Sequence, residues 1–100
     1  MPRTLSPIHP GEVLREDVLE PLGMSVNQLS KALAVDASRL NDIVRGRRGV
    51  TADTALRLAR YLGTTPEFWL NLQQSYELRV ARQARQKEID RAVRPRTDAA

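Results

Sequence analysis

A chain of 100 residues with a formal net charge of +4 forms one small basic domain, for which a polyanionic partner is the favoured interpretation. The absence of cysteine excludes a disulfide framework, a thiol nucleophile and a zinc-finger site. Only 4% of the residues are aromatic, so the core has to consist mainly of Leu, Val and Ala, which suits helices better than a β-sandwich. No apolar run approaches the roughly 20 residues of a membrane span, and the N-terminus lacks the apolar segment of a signal peptide. We therefore expect a cytoplasmic protein without membrane contact; a basic protein with no polyanionic partner is the alternative.

The first predicted helix begins at Pro10, after a lead-in of residues 1–9. Proline is favoured at the first helical position, where its missing N–H costs nothing. Pro21 and Gly23 are predicted to end this helix near Glu20. Its outer face carries the four acidic residues Glu12, Glu16, Asp17 and Glu20.

A second and a third helix are predicted to follow, joined by a tight turn at Ala34. Ser25 and Gln28 have the spacing of a capping box, which marks the start of the second helix. Asp36 is the predicted N-cap of the third helix, and Gly46 is predicted to end it in a left-handed conformation. Two short helices joined in this way are typical of a helix-turn-helix.

The third helix and the loop after it expose a polar and basic surface. Leu40, Ile43 and Val44 lie three and four residues apart and are predicted to face the core. The polar residues left on the outside are Ser38, Arg39, Asn41, Asp42 and Arg45, with Arg47 and Arg48 on the following turn.

A fourth helix is predicted after Thr51 and a fifth after Thr65, whose first helical residue is Pro66. The fifth helix is expected to fray past residue 85, where apolar residues become rare. These patterns predict one all-α domain of five helices over residues 10–85, with a charged and disordered tail at 86–100.

Five motifs together give the chain a resemblance to a known family. They are HPGE at residues 9–12, RLNDI at 39–43, GRR at 46–48, TADTALRLA at 51–59 and FWLNLQ at 68–73. Over about residues 8–80 the chain resembles the XRE (phage-repressor-like) helix-turn-helix proteins, and more narrowly the HigA/VapI group of antitoxins. The resemblance implies a lambda-repressor-like fold with an extended C-terminal helix. The chain departs from the pattern at Ala34, where such turns usually have Gly, and a left-handed alanine carries strain of roughly 1 kcal/mol.

The resemblance also implies a function. Proteins of this group bind palindromic operator DNA as homodimers, repress their own operon, and bind and neutralise a HigB-like toxin, which is an mRNA endonuclease. Two alternatives are a stand-alone XRE-family regulator with no toxin partner and a protein-binding inhibitor that no longer binds DNA.

DNA recognition needs base contacts for sequence and phosphate contacts for register. We expect Ser38, Arg39 and Asp42 to face the major groove, where Arg39 could read guanine through two hydrogen bonds. Asn41 could pair with adenine or brace the helix end, and Asp42 could accept from cytosine or orient Arg39 or Arg45. Phosphate contacts are assigned to Asn27, Arg45, Arg47 and Arg48. The alternative for the arginines is a solvated basic face.

The fifth helix is the predicted dimer element, and two copies would bind half-sites roughly 10 bp apart or a multiple of one turn. Its apolar stripe consists of Trp69, Leu72, Tyr76 and Val80. The alternative is that these residues close the core of the monomer.

The acidic face of the first helix, formed by Glu12, Glu16, Asp17 and Glu20, is a candidate docking surface for a basic toxin. A solvated helix face and the charged tail after Ala81 are the alternatives. His9, the sole histidine, is expected to cap the first helix rather than bind a metal. Without a nucleophile motif or a phosphate-binding loop, we expect no enzyme activity, catalytic residue, metal or cofactor.

Overall fold

The structure is a computed structural model that describes residues 7–97, all of whose regular elements are helices. The all-α prediction is thereby confirmed for this part of the chain. Residues 1–6 of the predicted lead-in and 98–100 of the predicted tail lie outside the described residues. Helix α1 is a continuous run of three segments, Pro10–Val13, a π-helical Leu14–Leu19 and Glu20–Leu22. The other helices are α2 (Val26–Leu33), α3 (Ala37–Val44), α4 (Ala52–Leu62) and α5 (Pro66–Ala92).

One hydrophobic core joins the five helices. Helix α3 packs against α1 and α2, and α5 packs against α4 and α1. Close approach of α1 to α3 depends on Gly11, where an added Cβ would lie 1.8 Å from the carbonyl oxygen of Ile43. The largest fully buried apolar side chains are Trp69, Leu14, Leu29, Leu40, Ile43 and Leu58.

Most predicted helix ends are confirmed by their hydrogen bonds. The Ser25 hydroxyl accepts from the Gln28 N–H at 3.1 Å, and the Gln28 side chain accepts from the Ser25 N–H at 2.8 Å, which completes the capping box. Thr65 likewise accepts from the N–H of the third helical residue of α5. Asp36 occupies the N-cap position of α3, but its side chain makes no capping hydrogen bond. The backbone position was therefore predicted correctly and the carboxylate contact was not.

Pro21 does not end α1, which corrects the prediction from the sequence. The helix widens into a π-helical segment before the proline, and the Glu20 N–H donates to the Arg15 carbonyl, five residues back. In a regular helix the proline ring would collide with the carbonyl four residues earlier. The wider turn lets the helix continue to Leu22, and Gly23 ends it with φ of 63°.

Helix α5 also extends further than predicted, because residues 86–92 are helical rather than disordered. Arg85 binds Glu88 at 2.8 Å and Gln86 binds Asp90 at 2.8 Å, and pairs of this spacing stabilise an exposed helix. No Gly or Pro interrupts the helix before Pro95. Despite this length, neither α5 nor any other described helix is long and apolar enough to span a membrane.

Candidate nucleic-acid interface

Helices α2 and α3 form the predicted helix-turn-helix, and the turn between them has the expected strained geometry. Ala34 lies in the left-handed region with φ of 57° and ψ of 45°. Only glycine adopts this conformation without a steric cost. The chain therefore keeps the turn geometry although it lacks the usual glycine.

The predicted phosphate-binding residues lie on the surface. Asn27 at the start of α2 is exposed, and so are Arg45, Arg47 and Arg48 after α3. Among the residues of α3 assigned to bases, Ser38 is exposed, whereas Asn41 and Asp42 are half-buried.

Asp42 has a different neighbour from those expected. Its carboxylate lies 3.9 Å from the guanidinium of Arg48, not beside Arg39 or Arg45. This long ion pair places an acidic group next to Arg48, which was assigned to a phosphate contact. Asp42 therefore lies on the same surface as the loop after α3.

Arg39 is held against the side of α4. Its Nη2 donates to Oδ2 of Asp53 at 2.7 Å and to Oγ1 of Thr54 at 3.3 Å. The side chain is 29% exposed. Its Nε is buried and has no hydrogen-bond partner within the described chain. The guanidinium is thus packed against α4 rather than extended into solvent.

Asp53 binds a second arginine, Arg57, whose Nε lies 2.9 Å from the same carboxylate oxygen. Arg57 also donates from Nη1 to the carbonyls of Leu33 and Ala34, at 2.9 and 3.0 Å. The last carbonyls of a helix have no hydrogen-bond partner within the helix, and Arg57 supplies one at the end of α2. We call these three residues the Arg39–Asp53–Arg57 cluster.

The cluster lowers the pKa of the Asp53 carboxyl. The hydrogen bond from Arg57 is the main cause, desolvation opposes it, and the charges of Arg57 and Arg39 lower the pKa further. The two arginines therefore favour the ionised form of Asp53.

The loop after α3 is fixed by α5. Oε1 of Gln73, a buried side chain, accepts from the Val50 N–H at 2.8 Å. Nε2 of Gln73 donates to Glu77 at 2.8 Å, which sets the orientation of the amide. A Cβ at Gly49 would lie 2.8 Å from this amide, so a larger residue there would have to displace the Gln73 side chain.

His9 caps α1, as predicted, because its Nδ1 accepts from the Gly11 N–H at 2.9 Å. The ring also packs edge-on against Tyr76, with centroids 4.8 Å apart. Burial lowers the pKa of His9, and a hydrogen bond to the Arg48 backbone partly opposes that effect. The neutral imidazole thus joins α1, the loop after α3 and α5.

The structure corrects one residue of the predicted dimer stripe. Trp69 is 1% exposed, and its indole N–H donates to Thr64 at 2.8 Å, so its side chain belongs to the monomer core. Leu72 is partly buried against that core and Tyr76 contacts His9. Val80 is exposed.

The predicted acidic face of α1 is only partly free of neighbours. Glu12 and Glu16 are half-buried, and Glu16 binds Arg15 at 3.2 Å. Asp17 and Glu20 are exposed. Within residues 7–97, no group of three or more His, Asp or Glu side chains could hold a metal ion.

Sequence reasoning assigned no role to Asp53, Arg57 or Gln73. All three stand inside the TADTALRLA and FWLNLQ motifs, but the contacts that join them to α2, α3 and the loop after α3 lie 14 to 24 positions apart. Helical spacing carries no signal for contacts of that range.

Comparison with known proteins agrees with the helix-turn-helix formed by α2 and α3. Residues 16–69 match the helix-turn-helix family. The virulence-associated protein I of Dichelobacter nodosus is 57% identical over 79 residues, which are 79% of this chain and 73% of that protein.

Two solved structures are similar over most of the chain. An addiction module antidote protein of the HigA family from Coxiella burnetii has a TM-score of 0.87 and 50% identity, covering 91% of this chain and 99% of its own. The Pseudomonas aeruginosa antitoxin HigA with the higBA promoter has a TM-score of 0.87 and 47% identity, covering 89% and 97%. This chain therefore belongs to the XRE-type helix-turn-helix family, within its HigA/VapI group of antitoxins.

Proposed function

We propose that this protein is a HigA-like antitoxin that binds operator DNA as a dimer, represses its own operon and neutralises a HigB-like toxin by direct binding. The observation that carries the DNA-binding part is the exposed basic loop after α3, held in place by Gln73 beside the helix-turn-helix. A similar antitoxin has been solved together with its promoter DNA, which supports the same mode here. Action on an operon implies a cytoplasmic location.

In this proposal α3 enters the major groove and its surface is divided between two tasks. Ser38, Asn41 and Asp42 lie where base edges would be read. Arg39 lies on the same helix, but its guanidinium is bound to Asp53 on α4. The phosphate contacts come from the exposed residues Asn27, Arg45, Arg47 and Arg48.

Titration of promoter DNA by fluorescence anisotropy at several salt concentrations tests DNA binding. Each lost phosphate contact lowers the slope of log affinity against log salt by about 0.9. We expect Arg47→Gln and Arg48→Gln together to reduce it by about 1.8 and to weaken binding on every sequence. Arg85→Gln and Arg91→Gln together, on the exposed end of α5, are the control of equal charge. Equal slopes for wild type and double variant would refute the assignment.

Dimer formation is assigned to the side of α5 that carries the exposed Val80 and the half-buried Leu72 and Tyr76, since Trp69 belongs to the core. We expect Val80→Asp to convert a dimer into a monomer in sedimentation experiments at micromolar concentration. Leu78→Asp, two residues away, is the matched control on another side of the helix; Leu78 is 51% and Val80 39% exposed. A monomeric wild-type protein would contradict the dimer.

Toxin binding is assigned to the acidic face of α1. The exposed Asp17 lines a groove in which Leu22 and Phe68 are also exposed, so charge and apolar contacts are available together. We expect charge reversal at Glu16 and Asp17 to weaken capture of a toxin encoded beside this gene at least tenfold. Reversal at Glu88, on distal α5, is the control. Unchanged capture by the α1 variant would exclude this face.

The principal alternative is a stand-alone XRE-family regulator without a toxin. The neighbouring reading frame separates the two, because a small basic protein encoded there favours the antitoxin. A protein-binding inhibitor without DNA affinity gains support only if the wild type shows no salt-dependent promoter binding.

A further inference from the structure

The Arg39–Asp53–Arg57 cluster connects both helices of the helix-turn-helix through a single carboxylate. Oδ2 of Asp53 lies 2.7 Å from Nη2 of Arg39 and 2.9 Å from Nε of Arg57. Arg57 in turn reaches the carbonyls of Leu33 and Ala34. The first turn of α3 and the end of α2 are therefore fixed to the same point on α4.

We propose that Asp53 is a positioning residue for operator recognition, and that Arg39 acts through Asp53 by orienting α3 instead of reading a base. This inference rests on the proposed DNA-binding function. It assigns base reading to the exposed Ser38 and to Asn41 and Asp42.

The environment of Arg39 supports a positioning role. To form two hydrogen bonds with guanine, its guanidinium would have to leave Asp53 and Thr54. Thr54 is 2% exposed and the Nε of Arg39 is buried, so this movement would also disrupt packing against α4. By comparison, Ser38 needs no rearrangement to meet a ligand, because it is already exposed.

The placement of Arg57 explains why one carboxylate affects two helices. Ala34 gives the turn a left-handed residue that carries a Cβ, and Arg57 binds the two carbonyls at this strained point. Without Asp53, Arg57 and Arg39 lose their shared anchor. A change in the angle between α2 and α3 alters base and phosphate contacts together, so affinity falls for every operator sequence by the same factor.

The test measures promoter binding by wild type, Asp53→Asn, Arg39→Gln and the double variant, on the promoter and on a set with each operator base pair replaced. We expect each single variant to weaken binding about fivefold, as expected for loss of a partly exposed ion pair. Both should leave the order of base preferences unchanged. The double variant should be no weaker than Asp53→Asn alone, because Arg39 acts through Asp53 and its contact is already lost in that variant.

Two further variants control for folding and for charge. Asp53→Glu retains the carboxylate and should restore the wild-type affinity. Glu88→Gln breaks the 2.8 Å ion pair of α5 and should leave affinity unchanged. Circular dichroism reports whether each variant is helical; if Asp53→Asn does not fold, the base preferences of Arg39→Gln decide.

Relaxed discrimination at one base pair in Arg39→Gln would overturn the inference and identify Arg39 as a base reader. Additive losses in the double variant would overturn it as well. Absence of promoter binding by the wild type would instead refute the proposed function, and the inference with it.

Discussion

Helix α3 and the distal part of α5, residues 77–92, are both polar helices, but they are stabilised in opposite ways. Helix α3 has eight residues, buries Leu40, Ile43 and Val44, and is fixed from α4 through Arg39. Every residue from 77 to 92 is exposed. A helix as short as α3 is marginal by itself, so its position is a property of the whole fold. Distal α5 depends instead on its own backbone and side-chain pairs.

Trp69→Ala gives the largest expected effect, because it opens a cavity in the core that supports α3. We expect the free energy of unfolding to fall by about 3–5 kcal/mol in chemical denaturation. Leu78→Ala on the exposed part of α5 should change it by less than about 0.5 kcal/mol. Similar losses for the two variants would remove the distinction between the packed body and distal α5.

Gly11→Ala tests the contact between α1 and α3 directly. The added Cβ would lie 1.8 Å from the Ile43 carbonyl oxygen, so α1 has to move away from α3. We expect a loss of about 1–3 kcal/mol in the same denaturation experiment. Ser75→Ala, at an exposed site of α5, is the matched control and should be within about 0.5 kcal/mol of wild type. Wild-type stability of Gly11→Ala would mean that the two helices are not in close contact.

Ala34→Gly should stabilise the protein slightly, by about 0.5 kcal/mol. Relief of the left-handed conformation at φ of 57° outweighs the greater freedom of glycine in the unfolded chain. Ala81→Gly, in the exposed helix α5, should have the opposite sign. Thermal unfolding of the two variants measures both changes, and destabilisation by Ala34→Gly would show that the turn is not strained.

The smallest expected effect is a dependence of stability on pH through His9. The pKa of His9 is lowered from 6.5 in the folded state, so the unfolded chain takes up the proton first as the pH falls. The contribution of His9 is complete above pH 6.5 and is lost as the pH falls through the lower folded pKa. His9→Asn retains an acceptor for the α1 cap but does not titrate.

Unfolding free energies measured at pH 7.5 and pH 5.5 compare wild type with His9→Asn. The wild type should lose more stability than the variant between these pH values, and parallel changes would contradict the role of His9. The lowered pKa of Asp53 also makes acid destabilising, but only as the pH falls below about 3.8. The two groups therefore act in separate pH ranges.

The features predicted correctly from the sequence are local ones. Ser25 with Gln28, Thr65 with Pro66, and Gly46 each specify a helix end within three or four residues, and the structure confirms all of them. His9 was also placed correctly, since a cap involves only the following turn.

The errors came from residues whose effect depends on packing or on competing signals. Pro21 normally ends a helix, but a wider turn accommodates it in α1. Few apolar residues beyond 85 indicated fraying, whereas helix-forming side chains extend α5 to Ala92. Trp69 fitted a dimer stripe and a core equally well, because helical spacing does not show which of two partners covers a face.

Gln73 makes the loop after α3 rigid, which the sequence of the loop alone would not do. A free loop rich in arginine would lose conformational entropy on binding DNA, but the bond from Gln73 to the Val50 N–H fixes this one beforehand. The same amide is oriented by Glu77 on the helix assigned to dimer contacts. If two copies associate through α5 as proposed, a shift of that helix would be transmitted to the loop assigned to phosphate, and dimer formation would then affect DNA binding.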